Sequence, residues 1–170
     1  QIPLQQQIYG GSTETIAIPD DESFLIALRD FFIIEKQEEI IKKYGDISDW
    51  DTSNVTNMSH IFEDKTDFNE DISRWNVSSV TNMDDMFLGA TTFNQELKWN
   101  VSSVTTMKSM FLDAKSFNQE LNWNVSSVTN MESMFYRSDS FNGDISNWNV
   151  SSVTSMTDMF RGATSFNQDL

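Results

Sequence analysis

From about residue 46 onward, large apolar residues return at fixed intervals in a chain otherwise rich in Asn, Ser, Thr and Asp. Trp stands at 50, 75, 99, 123 and 148, in steps of 25, 24, 24 and 25. Val55, Val80, Val104, Val128 and Val153 step in the same way, as do Phe62, Phe87, Phe111, Phe135 and Phe160. Phe68, Phe93, Phe117, Phe141 and Phe166 make another column in register. The variation in length falls just before Trp, where Asp71-Ile72-Ser73-Arg74-Trp75 shortens to Glu96-Leu97-Lys98-Trp99. Repetition at this period marks a chain of stacked units, none of which can bury its apolar face alone.

Within one unit, Trp75 and Val77 are expected to point inward with Asn76 outward, as on a short strand. Ser78-Ser79 reads as a turn. Met83, Met86 and Phe87 are spaced i, i+3, i+4, which predicts one apolar face of a short helix or 3-10 turn. Gly89-Ala90, repeated as Gly162-Ala163, supplies a tight exit and a small inward residue. The expected fold is therefore an α/β repeat solenoid of leucine-rich-repeat length, with a short parallel strand and a short helix or 3-10 turn in each 24–25-residue coil. Its core ladders are Trp50, Trp75, Trp99, Trp123 and Trp148, and Phe68, Phe93, Phe117, Phe141 and Phe166.

Ahead of the repeats, Pro19-Asp20-Asp21-Glu22 reads as a helix start, its acids matched to the helix dipole. Phe24, Leu28, Phe31, Ile34, Ile41 and Tyr44 follow as a 3.6-residue stripe, with Glu35-Lys36-Gln37-Glu38-Glu39 as a point where it breaks in two and Gly45 as its stop. Residues 20–45 are expected to form a helical N-terminal cap, 1–19 an extended arm or linker, and 46–170 about five repeats, the last incomplete. Phe166-Asn167-Gln168-Asp169-Leu170 stops at the Ile/Leu column with no polar cap. The expectation is that further repeats follow or that this edge packs on another chain in a larger complex. The chain opens Gln1-Ile2-Pro3, without a signal-peptide profile, and reads as a piece of something longer.

The pattern Phe-Asn-x-Asp-Ile-Ser-x-Trp-Asn-Val-Ser-Ser-Val-Thr-Asn-Met-x-x-Met-Phe-x-Gly-Ala-Thr-Ser resembles the BspA-like surface-protein repeat, a leucine-rich-repeat relative of mycoplasma, marine bacterial and algal proteins. The likeness covers about residues 46–170, and Tyr44-Gly45-Asp46-Ile47-Ser48-Asp49-Trp50 is similar to that family's entry into its first repeat. The resemblance implies attachment or protein interaction at an extracellular or cell-surface location, often as one module of a larger protein. It brings no enzymatic activity and no active-site residues.

Composition narrows the partners. A net charge of −15 repels phosphate backbones and anionic headgroups, which disfavours nucleic acid and electrostatic membrane docking. No apolar run approaches the roughly 18–20 residues of a membrane span. The absence of Cys excludes disulfides and thiol chemistry. A protein or a glycan remains as the expected partner, and a scaffold role inside an assembly is the alternative.

The outward columns supply the candidate chemistry. Asn69, Asn94, Asn118, Asn142 and Asn167 read as a ladder of amides that satisfies backbone groups at a turn, with glycan or metal binding as the functional alternative. Asn76, Asn100, Asn124 and Asn149, together with Asn54 and Asn57, stand in N-glycosylation sequons that the repeat itself generates. Ser79 and Thr81, with their counterparts in the later units, form a hydroxyl array explained by turn chemistry and faintly similar to ice-binding surfaces. Asp71, Glu96, Glu120, Asp144 and Asp169 form a carboxylate file with oxygen donors suited to Ca²⁺, although no unit carries an EF-hand loop. No catalytic residue, metal ligand or cofactor is assigned. The only His, His60, shares its slot with Asp85, Ser109, Ser133 and Asp158 and is expected at the surface.

Overall fold

The computed structural model describes residues 15–170, so nearly all of the expected arm lies outside the described residues. Two helices lead: α1 (Asp21–Phe31) and α2 (Ile34–Tyr44). Asp20 caps α1, accepting the Ser23 N–H at 2.8 Å, and Asp21 and Glu22 place negative charge on its first turn. The break between the helices lies at Phe32-Ile33, not in the charged interval, which is contained in α2. Breaking there lets two adjacent rings reach the first repeat: Phe31 meets Trp50 edge-on at 5.7 Å, and Phe32 meets Phe62 and Phe68 at 6.4 and 6.0 Å. The new register turns Ile34 out, 85% exposed, and buries Ile40 in place of Ile41, while Tyr44 is buried as expected. α2 ends at Gly45, whose φ of +84° is a conformation suited to glycine.

The expected strand and helix of each unit do not form. Among the described residues there is no β-strand, and the only helical segment after α2 is a 3-10 turn at Ile47–Asp49. Neighbouring repeats meet in single parallel bridges, Asn57 with Asn82, Asn82 with Thr106, Thr106 with Asn130 and Asn130 with Ser155. The α/β architecture with parallel strands is thus replaced by chained turns. The cause is visible in the backbone. Two slots per repeat have positive φ: His60, Asp85, Ser109, Ser133 and Asp158 in one, and Asp64, Gly89, Asp113, Arg137 and Gly162 in the other. A left-handed residue every few positions stops a right-handed helix, whatever the spacing of its apolar side chains. The Trp75-Asn76-Val77 alternation is likewise too short to make a strand. Trp75 N–H bonds Ile72 O and Val80 N–H bonds Val77 O, so the segment lies between two turns.

Hydrogen bonding runs between repeats. Met58, His60, Phe62 and Asp64 donate their N–H groups to the carbonyls of Asn82, Asp84, Met86 and Leu88 at 2.7–3.0 Å. Met83, Asp85, Phe87 and Gly89 do the same toward Thr106, Lys108, Met110 and Leu112, and the pattern holds through Arg137 and Arg161. The intervening N–H groups close local turns, as Leu88 does on Asp85 O and Ala90 on Phe87 O. One bond per junction runs backward, from Thr81 N–H to Thr56 O and onward through Thr105, Thr129 and Thr154. Much of the repeat backbone is therefore paired without a strand or a helix.

Side chains fill the space inside these turns. Val80, Met83, Met86, Phe87, Ala90 and Phe93 are fully buried, and their counterparts in the next repeat repeat the pattern. Phe62, Phe87, Phe111, Phe135 and Phe160 stack at 5.4–5.6 Å from one repeat to the next. Each also lies on the later Phe of its own repeat at about 4 Å, as in Phe62 with Phe68 at 4.0 Å and Phe135 with Phe141 at 3.9 Å. Burying each such ring contributes about 1.5–3 kcal/mol, and offset stacking adds to that. The indole N–H groups lock the repeats in register. Trp75, Trp99, Trp123 and Trp148 donate to Ile47, Ile72, Leu97 and Leu121 carbonyls of the preceding repeat at 2.7–3.0 Å. Trp50 donates instead to Gly45 O at 3.1 Å, just past α2.

Helix α1 completes the first repeat with a carboxylate. Asp21 accepts the Thr56 N–H and Oγ–H, both at 2.7 Å, and the Asn57 N–H at 3.2 Å. Every later Thr of this column gives its N–H and Oγ–H to the preceding Thr carbonyl. Burial pushes the Asp21 carboxyl up, but the bonds from Thr56 and Asn57 outweigh it and hold the group below the usual carboxylate range. A depressed folded pKa contributes stability above the unfolded value of about 4 and loses it as pH falls through the folded value. Asp21→Asn is expected to cost about 1 kcal/mol at pH 7, with the difference from the parent vanishing in acid; urea melts at both pH values measure it. A difference that persists unchanged in acid would show that charge at Asp21 is not the source. At the second positive-φ slot, Gly89→Ala is expected to cost about 1 kcal/mol or more, whereas Arg137→Gly raises stability; melting curves of the two variants should move in opposite directions.

Candidate binding surface

The outward columns are fixed by the same turns. In the first Asn ladder, Asn94, Asn118, Asn142 and Asn167 donate their backbone N–H to the side-chain oxygen of the Asn one repeat earlier at 2.8–2.9 Å. Gln95, Gln119 and Gln168 run alongside, giving their Nε2–H to the carbonyls of Asn69, Asn94 and Asn142. Short side chains that reach only one repeat back thus act as backbone extensions. The amide oxygens of Asn69, Asn94, Asn118 and Asn142 each take a backbone N–H of the next repeat.

The sequon asparagines lie on the surface. Asn54, Asn57, Asn76, Asn100, Asn124 and Asn149 are all exposed. The side-chain oxygens of Asn76, Asn100, Asn124 and Asn149 accept the N–H of Ser78, Ser102, Ser126 and Ser151, the hydroxyl residue of each sequon, at 3.0–3.2 Å. Asn57 does the same with Ser59, while Asn54 donates to Ile18 O. These asparagine turns tie each oxygen to the backbone, and among the described residues the amide nitrogens of Asn57, Asn76, Asn100, Asn124 and Asn149 make no hydrogen bond. In the hydroxyl array, the Thr81, Thr105, Thr129 and Thr154 hydroxyls are donated to the preceding Thr carbonyl.

The acidic file is spread out. Asp71 and Asp144 each accept a Ser N–H two residues on, at 2.9 Å, and both carboxyls are held below their usual range by these Ser73 and Ser146 bonds. Among the described residues no three His, Asp or Glu side chains come close enough to hold a metal ion together. His60 is 57% exposed, with Nδ1 2.7 Å from Glu63 and Nε2 3.7 Å from Asp85. Burial pushes the Asp85 carboxyl up, with His60 pulling it the other way.

The core-ladder residues are inside: Trp50, Trp75, Trp99, Trp123, Phe68, Phe93, Phe117 and Phe141 are buried, and Trp148 and Phe166 are half-buried. Around the last of them, Val150, Met156 and Leu170 are exposed beside a cavity of about 220 Å³. Reading the chain by apolar spacing missed two features. One is the positive-φ slots, whose signal was the run of Asp, Ser and Gly at two slots four residues apart. The other is Asp21, taken as a helix-start residue, which also terminates the Thr column.

A family model described as "Mycoplasma protein of unknown function, DUF285" matches residues 32–122 and 121–170. No curated protein and no solved structure matches the chain. For the ladder, Asn118→Ala removes the acceptor of the Asn142 N–H and is expected to lower stability by about 1 kcal/mol. Urea unfolding should detect this, and a variant as stable as the parent would show that water replaces the bond without loss.

Proposed function

The chain belongs to the DUF285 family of mycoplasma proteins, and on that premise we propose that it is a non-enzymatic interaction module of a BspA-like surface protein, presenting a repeated face to a protein or glycan. The observation that carries this reading is the regularity of the outward columns. Asn, Ser, Thr and acidic side chains recur in register along the stack, held by bonds to the backbone. Such a surface spreads contacts along its length. Catalysis asks for the opposite, a local environment that drives two titrating groups apart. The charge of −15 favours partners with basic or neutral surfaces over nucleic acid. A cell-surface location fits the resemblance of the repeat motif.

The second reading is a scaffold subunit of a larger assembly, in which the repeat array serves as one layer among several chains. The two readings separate in one set of measurements. The purified chain is expected to run as a monomer by light scattering and to bind saturably to at least one member of a panel of immobilised extracellular-matrix proteins and glycans. Saturable self-association without binding to the panel would support the scaffold instead. A monomer with no saturable binding anywhere on the panel would sink the interaction reading.

A further inference from the structure

The Trp column is not uniform. Trp50 stacks on Trp75 at 6.2 Å and Trp99 on Trp123 at 6.3 Å, with ring planes 5° apart in both. Within each pair, the repeats approach Trp in the same way. Two residues separate the Ile from Trp50 and Trp75, and one residue, Lys98 or Asn122, separates the Leu from Trp99 and Trp123. At Trp148 the longer approach returns as Ile145-Ser146-Asn147. Among the described residues no ring stack joins Trp123 to Trp148, although the Trp148 indole still reaches Leu121 O at 2.9 Å.

A cleft of about 420 Å³ lies at this mismatch, lined by the half-buried Trp148 and by the largely buried Trp123. Its polar walls are Asn122, Asn124, Asp144, Asn147 and Asn149. Asn124 and Asn149 have their oxygens tied to Ser126 and Ser151 N–H, which leaves their amide nitrogens as oriented donors. Asp144 is held by the Ser146 N–H at 2.9 Å and remains a charged acceptor. The Asn122 and Asn147 side chains make no hydrogen bond among the described residues.

We propose that this cleft is a saccharide-binding site. The proposal rests on the interaction-module reading and names the ligand class for one place on that surface. Vicinal hydroxyls both donate and accept, which matches a wall of amides and one carboxylate. The C–H face of a pyranose supplies apolar contact for indole. A phosphate or other anion is opposed by Asp144 and the net charge. A wholly apolar ligand would strip water from amides and a carboxylate and give nothing back.

The test uses the 170-residue chain with maltotriose, chitotriose, mannotriose and lactose as probes. Binding is followed by indole fluorescence and by saturation-transfer NMR. At least one saccharide is expected to bind saturably, with a dissociation constant between about 0.1 and 10 mM. Asn122→Ala and Asn147→Ala should each weaken it about fivefold or more, with unchanged melting midpoints. Deleting Ser146 shortens the approach, allows Trp148 to stack on Trp123, and should abolish binding. Lys42→Gln, on α2 and remote from the cleft, should leave binding as it was. No saturable change with any of the four, or affinity indifferent to both Asn122→Ala and Asn147→Ala, overturns the proposal. If saccharides fail while a matrix protein still binds, the cleft proposal falls and the interaction reading stands; loss of both overturns both.

Discussion

The traffic of backbone hydrogen bonds between repeats is lopsided, and the rest of the structure follows from it. Each repeat gives four alternate N–H groups forward and takes one back through the Thr column. The intervening N–H groups close local turns on carbonyls three residues back, and positive φ at two of the four donor positions in each repeat sets the corners between those turns. Asp, Ser and Gly recur in those slots because short or absent side chains tolerate the left-handed region at low cost. His60 and Arg137 are the exceptions, and both are surface side chains with room to extend. With direction fixed in this way, two repeats can meet in only one order, donor face to acceptor face. At the first repeat the Thr56 N–H and Oγ–H have no preceding Thr carbonyl, and the Asp21 carboxylate accepts them in its place while Phe24 of α1 packs edge-on against Trp75.

Burial then sets the register that hydrogen bonding alone leaves loose. A backbone ladder could slip by one residue, but a slip would misplace Met, Phe and Trp together. The Trp N–H bond to the Ile or Leu carbonyl of the preceding repeat is the most exacting element, because it ties a side chain to a backbone group in a dry interior. It is conserved through both changes of repeat length, at Trp99 and at Trp148, while the ring stacks are not. When the two compete, the buried polar group keeps its partner and the rings give way. That ordering is expected, since an unmet donor in the interior costs about 1–3 kcal/mol, comparable to or more than a displaced stack.

Apolar spacing made the repeat, its inward columns and the leading helices legible from the residues alone. Met83, Met86 and Phe87 do share one buried face. That spacing was the right clue to burial and the wrong one to conformation, because overlapping turns with left-handed corners can present side chains at i, i+3 and i+4 as a helix does. The same ambiguity made a strand of Trp75-Asn76-Val77. The break at Phe32-Ile33 was hidden for another reason: it is set by where two rings find partners in the first repeat, a tertiary demand with no local signature. On the surface, the sequon asparagines could be placed outside, but their oxygens being tied to the sequon Ser N–H depends on turn geometry that spacing does not encode.

Because backbone and core fully specify how one repeat sits on the next, the outward residues are released from structural duty wherever their bonds are to their own turn. The slot just before Trp holds Asp49, Arg74, Lys98, Asn122 and Asn147 in turn, four residue types in five repeats. Variation of this kind changes the chemistry of the face without disturbing the stack beneath it. Length is the other free variable, since one residue can be added before Trp while its N–H bond is kept. The strain of that addition falls on the indole stack and opens space beside it. At Trp123–Trp148, where the unit length changes, the otherwise regular surface carries a cleft lined by the two Trp residues and by Asn122, Asn124, Asn147 and Asn149.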